Sequence, residues 1–268
     1  MNTSDPNRPK TARPRVGLFY TCLVDALKPN IAFAAVHLLE ACGCEVCVPE
    51  AQTCCGRPAF NSGDRKLARQ LARQNIALFE PFDFVVGPSG SCLSMFVKHY
   101  PELLKDDPQW IQRAESISKK SYELLDFLAR IMPPPRINAA YPGKVTYHDS
   151  CTGLRELNVR EQPRTLLAKV RDLTLVEMDA AQECCGFGGT FSVKYPEIST
   201  RLVDNKVDSI VRTGADTVTG GDLGCLMNIF GRLNRLKKNI QVFHAAEILA
   251  GMTGDGALGS PRKKAKDK

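Results

Sequence analysis

The chain has 268 residues, enough for one large or two small domains at about 150 residues each, and its 43% hydrophobic and 24% charged content excludes disordered, collagen-like and coiled-coil classes. No apolar run approaches the roughly 18 residues of a bilayer span, and the polar, proline-rich start offers no apolar leader, so a soluble cytoplasmic protein without a membrane span is expected. The formal net charge of +7 lies in the ends, +3 within residues 1–15 and +4 within 256–268, and the neutral remainder has one Trp and no basic–aromatic stripe, which argues against nucleic acid as a partner.

In chain order, residues 1–15 read as a flexible basic tail. Val16-Gly-Leu-Phe-Tyr reads as a strand leading into Cys22, and Val46-Cys-Val is strand-like. Apolar spacing of three and four predicts a helix over 64–80. Phe84-Val-Val-Gly-Pro-Ser-Gly-Ser-Cys92 is a strand running into a glycine-rich turn. A long helical stretch is expected from about Gln109 to Ile131, and Pro133 to Gly143 reads as a stiff linker. Val145-Thr-Tyr-His then leads into Cys151. A second amphipathic helix over 197–212 puts Ile198, Leu202, Val203, Val207, Ile210 and Val211 on one face. Thr217-Val-Thr-Gly-Gly-Asp-Leu-Gly-Cys225 repeats the strand and turn, and residues 253–268 form a second basic tail.

Self-similarity orders these elements. Cys22 precedes the pair Cys54-Cys55-Gly56 by 32 residues, and Cys92 follows Cys55 by 37. Cys151 precedes Cys184-Cys185-Gly186 by 33, and Cys225 follows Cys185 by 40. The copies are offset by 129, 130 and 133 residues at the three landmarks. Strands alternating with helices imply α/β architecture, here two tandem repeats of a mainly parallel-sheet cysteine-rich unit, residues 16–132 and 144–252, meeting about a pseudo-two-fold.

Eleven cysteines are an odd number, and a chain expected in a reducing compartment is a poor candidate for a disulfide framework, so metal or redox chemistry leads. Thiolate is a soft ligand that selects zinc, Cu(I) or iron–sulfur clusters. Zinc ribbons use Cys-x-x-Cys hairpins. Adjacent cysteines in an extended segment point to opposite faces and more easily hold two irons of one cluster than a single ion. The expected ligands are Cys22, Cys54, Cys55 and Cys92 in one site and Cys151, Cys184, Cys185 and Cys225 in the other, beyond the carboxyl ends of the strands. A zinc-stabilised assembly subunit and a thiol–disulfide enzyme cycling the vicinal pairs stay open as alternatives. Cys42, Cys44 and Cys47 have no counterpart in the second copy and are read as packing. Gly186-Phe-Gly-Gly-Thr190 reads as a loop lining the site. His148 and Asp149 offer a proton relay or an added ligand, though a strand-end His more often bonds a neighbouring loop. Arg57 and Arg155 could pair with a carboxylate, with solvated surface arginines as the commoner outcome; no catalytic residue is assigned.

Thr53-Cys-Cys-Gly-Arg-Pro-Ala-Phe-Asn-Ser-Gly63, Tyr147-His-Asp-Ser-Cys-Thr-Gly-Leu-Arg-Glu156 and Glu183-Cys-Cys-Gly-Phe-Gly-Gly-Thr-Phe191 resemble the cysteine-rich CCG domain family, which includes the cysteine-rich subunit of heterodisulfide reductase and the iron–sulfur subunit of glycolate oxidase. With Cys22-Leu-Val-Asp25 and Gly220-Gly-Asp-Leu-Gly-Cys-Leu-Met-Asn228, the resemblance from about Val16 to Gly251 is strongest to the lactate utilization protein A family. It implies an iron–sulfur electron-transfer subunit of an L-lactate-oxidising system, an oxidoreductase with a [4Fe–4S] cluster in each repeat. The implied partners are a ferredoxin-type iron–sulfur subunit, a third small subunit and a small 2-hydroxy acid. The heterodisulfide reductase relatives end each copy in Cys-x-x-Cys; here Ser89 and Asp222 replace the first thiol, and each is a candidate weak oxygen ligand.

Overall fold

The structure is a computed structural model that describes residues 13–260. The expected basic tails therefore lie mostly outside the described residues.

Among the described residues, eight strands form two four-stranded sheets, every strand pairing within them parallel. The first contains β1 (Arg15–Leu18), β2 (Glu45–Cys47), β3 (Phe84–Gly87) and β4 (Ser121–Glu123), in the order β2-β1-β3-β4. The second contains β5 (Ala140–His148), β6 (Arg171–Leu175), β7 (Thr217–Gly220) and β8 (Gln241–His244), in the matching order β6-β5-β7-β8. Helices connect successive strands, as parallel pairing requires. Chain direction across each sheet reverses between its first and third strands, the switch point where open α/β sheets leave a crevice at their carboxyl ends.

Local chemistry accounts for the elements. Asp64 accepts from the Leu67 N–H (3.0 Å) to start the helix Arg65–Phe79, and that helix buries Ala68, Ala72, Ile76 and Phe79. Helix Pro196–Arg212 starts on a proline and buries Val203, Val207 and Ile210, but Ile198 and Val211 of the predicted apolar face are exposed. The expected long helix over 109–131 is instead helix Ile111–Lys119, the three-residue β4, and a helical turn over 124–131. Ser121-Tyr122-Glu123 is too short to show a strand period, and pairing with β3 alone makes it a strand. The expected linker 133–143 overlaps the start of β5, where a bulge between Ala140 and Gly143 accommodates Pro142, and Ile137 and Ala139 are buried. Residues 253–260, expected in the second tail, are held in place: Leu258 N–H donates to the Val242 carbonyl (2.8 Å), and Lys28 Nζ donates to the Gly256 carbonyl (2.6 Å).

The largest apolar core is shared by the two sheets, joining Val16, Leu18 and Val86 to Val145, Tyr147 and Phe243. Reciprocal packing gives the interface its pseudo-two-fold: helix Ala245–Leu249 of the second repeat lies on helix Asn30–Ala41 of the first, and the turn over 124–131 lies on helix Glu161–Leu167. Nearer the strand ends, Gly90 meets Gly153 so closely that a Cβ at Gly90 would fall 2.9 Å from the Gly153 Cα. The equivalent residues across the pseudo-two-fold, Leu223 and Val24, fill the same contact with side chains.

Glu123 and His244 end the fourth strand of each sheet, and each caps the helix that follows. Burial pushes the Glu123 carboxyl up to about 8, although N–H bonds from Asp126 and Leu125 favour its charged form. Between pH 4.5 and 8 the unfolded chain gives up this proton while the folded chain retains it. The wild type therefore loses stability as pH rises, by about 1.4 kcal/mol per pH unit from this group. The stability of Glu123→Gln relative to wild type, measured by denaturant unfolding, should rise from pH 5 to pH 8; parallel curves would show that Glu123 titrates normally.

Candidate metal centre

Each cysteine sits where the topology makes a crevice. Cys22 follows β1, the Cys54-Cys55 pair follows β2, and Cys92 follows β3; Cys151, Cys184-Cys185 and Cys225 follow β5, β6 and β7 in the same way. Cys22, Cys92, Cys151 and Cys225 all lie in the first turn of a helix, where N–H groups are free and the helix dipole favours anionic sulfur. Thr21, Ser89, Ser150 and Asp222 cap those turns through their side chains. Thr21 does so at φ 69°, a strained setting for a β-branched residue that fixes the approach to Cys22.

The structure sets the four thiols of each half close enough to shift one another's protonation. In the first half Cys22 acts on Cys54, Cys54 on Cys55, and Cys55 on Cys92. In the second, Cys151 acts on Cys184, Cys184 on Cys185, and Cys185 on Cys225. Cys55, Cys185 and Cys225 are buried, whereas Cys22 is exposed. Hydrogen bonds from Cys22 and then Cys55, with the Gly56 N–H, hold the Cys54 thiol far below its ordinary value, while Cys22 and Cys55 are pushed up. A set of sulfurs that cannot all shed protons in isolation is the environment in which a bound cation displaces them.

Backbone geometry around the vicinal pairs repeats closely. Gly56 (φ 86°) and Gly186 (φ 83°) take the left-handed conformation and donate their N–H groups to Cys54 Sγ (3.4 Å) and Cys184 Sγ (3.3 Å). Side chains that no sequence motif singles out hold the pairs' carbonyls. Tyr100 Oη donates to the Cys55 carbonyl (2.9 Å), Asn75 Nδ2 to that of Cys54 (3.0 Å), and Asn228 Nδ2 to that of Cys185 (2.8 Å). Asn228 lies one helical turn beyond Cys225, a spacing visible in the sequence. Lys206 is buried and donates to the Ala180 and Ala181 carbonyls, the latter at 3.3 Å. Its place among Val203, Val207 and Ile210 puts a charge on an apolar helix face, a second readable signal.

The two sets open into one cavity of about 290 Å³, lined by Cys22, Cys54, Cys55 and Cys92 on one side and Cys151 and Cys225 on the other. Ser89 and Asp222 lie between them and bond to each other: Ser89 Oγ and the Ser91 N–H both donate to Asp222 Oδ2 (2.9 Å each), and the two residues form an antiparallel bridge. Where the resemblance suggested two oxygen ligands, these oxygens are taken up by the joint between the halves.

Arg57 spans the halves, donating to Ser94 Oγ (2.9 Å) and Glu156 Oε1 (3.3 Å), while His99 pairs with Glu156 Oε2 (2.9 Å). Burial alone would raise the Glu156 carboxyl, but the bonds to His99 and Arg57 outweigh it and hold Glu156 down at about 2. Arg57 thus pairs with an internal carboxylate at the cavity wall, and Arg155 is exposed. Cys44 is buried in the shared core with Cys42 packed against it, and Cys47 ends β2. Asp149 pairs with Arg164 (2.9 Å). Burial, then the charge of Lys206, pushes His148 down to about 3, which leaves its imidazole neutral. Among the described residues, His148 bonds no neighbouring loop. One of its ring nitrogens gathers with Cys185 and Cys225, the donor atoms within 4.8 Å of one another.

A donor set of clustered thiols with flanking N–H groups fits a soft metal centre. The model of the CCG cysteine-rich domain matches residues 16–97 and again 145–230. Lactate utilization protein A of Bacillus pumilus is 51% identical over 235 residues, covering 88% of this chain and 98% of the relative. The chain belongs to this family of cysteine-rich CCG proteins. Lactate utilization protein A of Bacillus cereus strain B4264 is 47% identical over the same coverage. Among solved structures, a hypothetical protein from Helicobacter pylori shares the fold at 12% identity and a TM-score of 0.60, covering 93% of this chain, which spans about half (50%) of that longer one. Among the described residues, no helix is long and apolar enough to cross a membrane.

A Cβ at Gly186 would fall 2.5 Å from the Ser199 carbonyl oxygen, whereas at the left-handed Gly63 (φ 85°) nothing lies within 4 Å. Gly63→Ala should cost only the left-handed penalty of about 1–2 kcal/mol, and Gly186→Ala should cost clearly more, with loss of the thiol set's metal affinity. Equal unfolding midpoints for the two variants would refute this assignment of Gly186.

Proposed function

We propose that this chain is an iron–sulfur electron-transfer protein of L-lactate utilization, with one inorganic cluster per repeat, most simply [4Fe–4S]. The observation that carries the reading is the gathering of four neighbouring thiols in each repeat, all four of the first and two of the second lining one shared cavity. Cys22, Cys54, Cys55 and Cys92 would hold the first cluster and Cys151, Cys184, Cys185 and Cys225 the second. Such clusters, when bound, supply one-electron transfer at a potential set by surrounding charge and hydrogen bonds.

The protein's own groups prepare that chemistry. Gly56 and Gly186 direct N–H groups at thiolate sulfur, which favours added negative charge. Tyr100, Asn75 and Asn228 lock the paired cysteines' backbone so that both sulfurs stay oriented. Ser89 and Asp222 fix the separation of the two sites. The exposed Cys22 marks the edge through which electrons would enter or leave, and a ferredoxin-type subunit and a third small subunit are the partners this placement suits. The lactate assignment draws on the name carried by relatives that this chain matches along 98% of their length.

Anaerobic reconstitution with ferrous iron and sulfide should load about four irons per thiol set, and Cys184→Ser should lose the second half of that content. In a strain lacking the gene, growth on L-lactate should return with the wild type and fail with Cys55→Ser. Zinc bound at one ion per set with no iron uptake, or growth restored by Cys55→Ser, would overturn the reading.

A further inference from the structure

The two sites are not copies of each other. At the offset of 129 residues that relates Cys22 to Cys151, His148 corresponds to Phe19. Phe19 is buried in an aromatic cluster, its ring 5.8 Å from Phe79 and 5.0 Å from Phe96, and brings no donor to the first set. His148, the last residue of β5, is 1% exposed, and neither ring nitrogen has a hydrogen-bond partner among the described residues. Leaving a buried polar atom unpaired is costly, so a partner is expected where the ring points. It points at sulfur: a ring nitrogen, Cys185 Sγ and Cys225 Sγ lie within 4.8 Å of one another, all three residues buried. Imidazole and thiolate together are an ordinary ligand set for iron and other soft or borderline metals.

Resting on the metal-centre reading above, we propose that His148 is a nitrogen donor to the second centre, which is therefore a mixed nitrogen–sulfur site while the first is all-sulfur. A neutral imidazole contributes no negative charge where a thiolate would, and imidazole ligation raises cluster potentials. The buried Lys206, whose charge acts on Cys185 and Cys225, works in the same direction. Its equivalent at the 130-residue offset is the apolar Ile76, so the first site has no such cation there. The second centre is thus the more easily reduced of the two.

The test uses the full chain labelled with 15N-histidine, reconstituted anaerobically with ferrous iron and sulfide and reduced with dithionite. Pulsed EPR should show coupling of directly bound strength to an imidazole nitrogen on one of two signals. His148→Phe, which copies the first repeat, and His148→Gln should both lose that coupling and shift the same signal to lower potential. Two loaded centres with no imidazole coupling in the wild type would overturn the proposal and leave the iron–sulfur reading intact. A chain that takes up no iron would overturn both. The wild-type label experiment decides the matter even if a variant fails to fold.

Discussion

The whole molecule answers to one constraint: four sulfur atoms from three separate stretches of chain must meet at one point without a disulfide to tie them. Parallel strands meet that demand, because their carboxyl ends lie on the same edge and the reversal of strand order opens a gap there. Placing each cysteine just after β1, β2 or β3, or after β5, β6 or β7, delivers the thiols to that gap. First-turn helix positions and left-handed glycines then surround them with N–H groups rather than bulk. Burial of Cys55 and Cys185 keeps water from competing for those sulfurs.

Duplication solves a second problem. A four-stranded unit of this size would leave one face of its core uncovered, and the shared core joining Val16 and Leu18 to Val145 and Phe243 covers both faces at once. The same joint sets the two thiol pockets against one cavity. At its centre, Ser89 and Asp222 bind the halves to each other. Symmetry is nonetheless broken around the thiols, with a phenyl ring near one set and imidazole and ammonium near the other.

Much of this was legible in the sequence because cysteine spacing survives duplication. The matching offsets of Cys22, Cys54 and Cys92 with Cys151, Cys184 and Cys225 announce the repeat, the α/β class follows from alternating strand and helix signals, and the structure draws those residues together. Short elements were not legible. The three residues of β4 are too few for a period of two to stand out, and tertiary pairing alone defines them. The packing of residues 253–260 depends on Lys28 and Val242, distant partners that no local pattern shows. His148 is visible in the sequence as a candidate, but its setting is not, since a strand-end imidazole with no hydrogen bond runs against ordinary expectation and only coordinates reveal it. Lys206 and Asn228 are readable from helical spacing, one as a charge on an apolar face and the other as a polar group one turn beyond Cys225.

If the eight sulfurs enclose two inorganic iron centres, anomalous diffraction at the iron edge from anaerobically grown crystals will locate both. Two iron peaks are expected, one within bonding distance of Cys22, Cys54, Cys55 and Cys92 and one within bonding distance of Cys151, Cys184, Cys185 and Cys225. Iron density away from these residues, or vicinal disulfides in place of metal at Cys54-Cys55 and Cys184-Cys185, would contradict it.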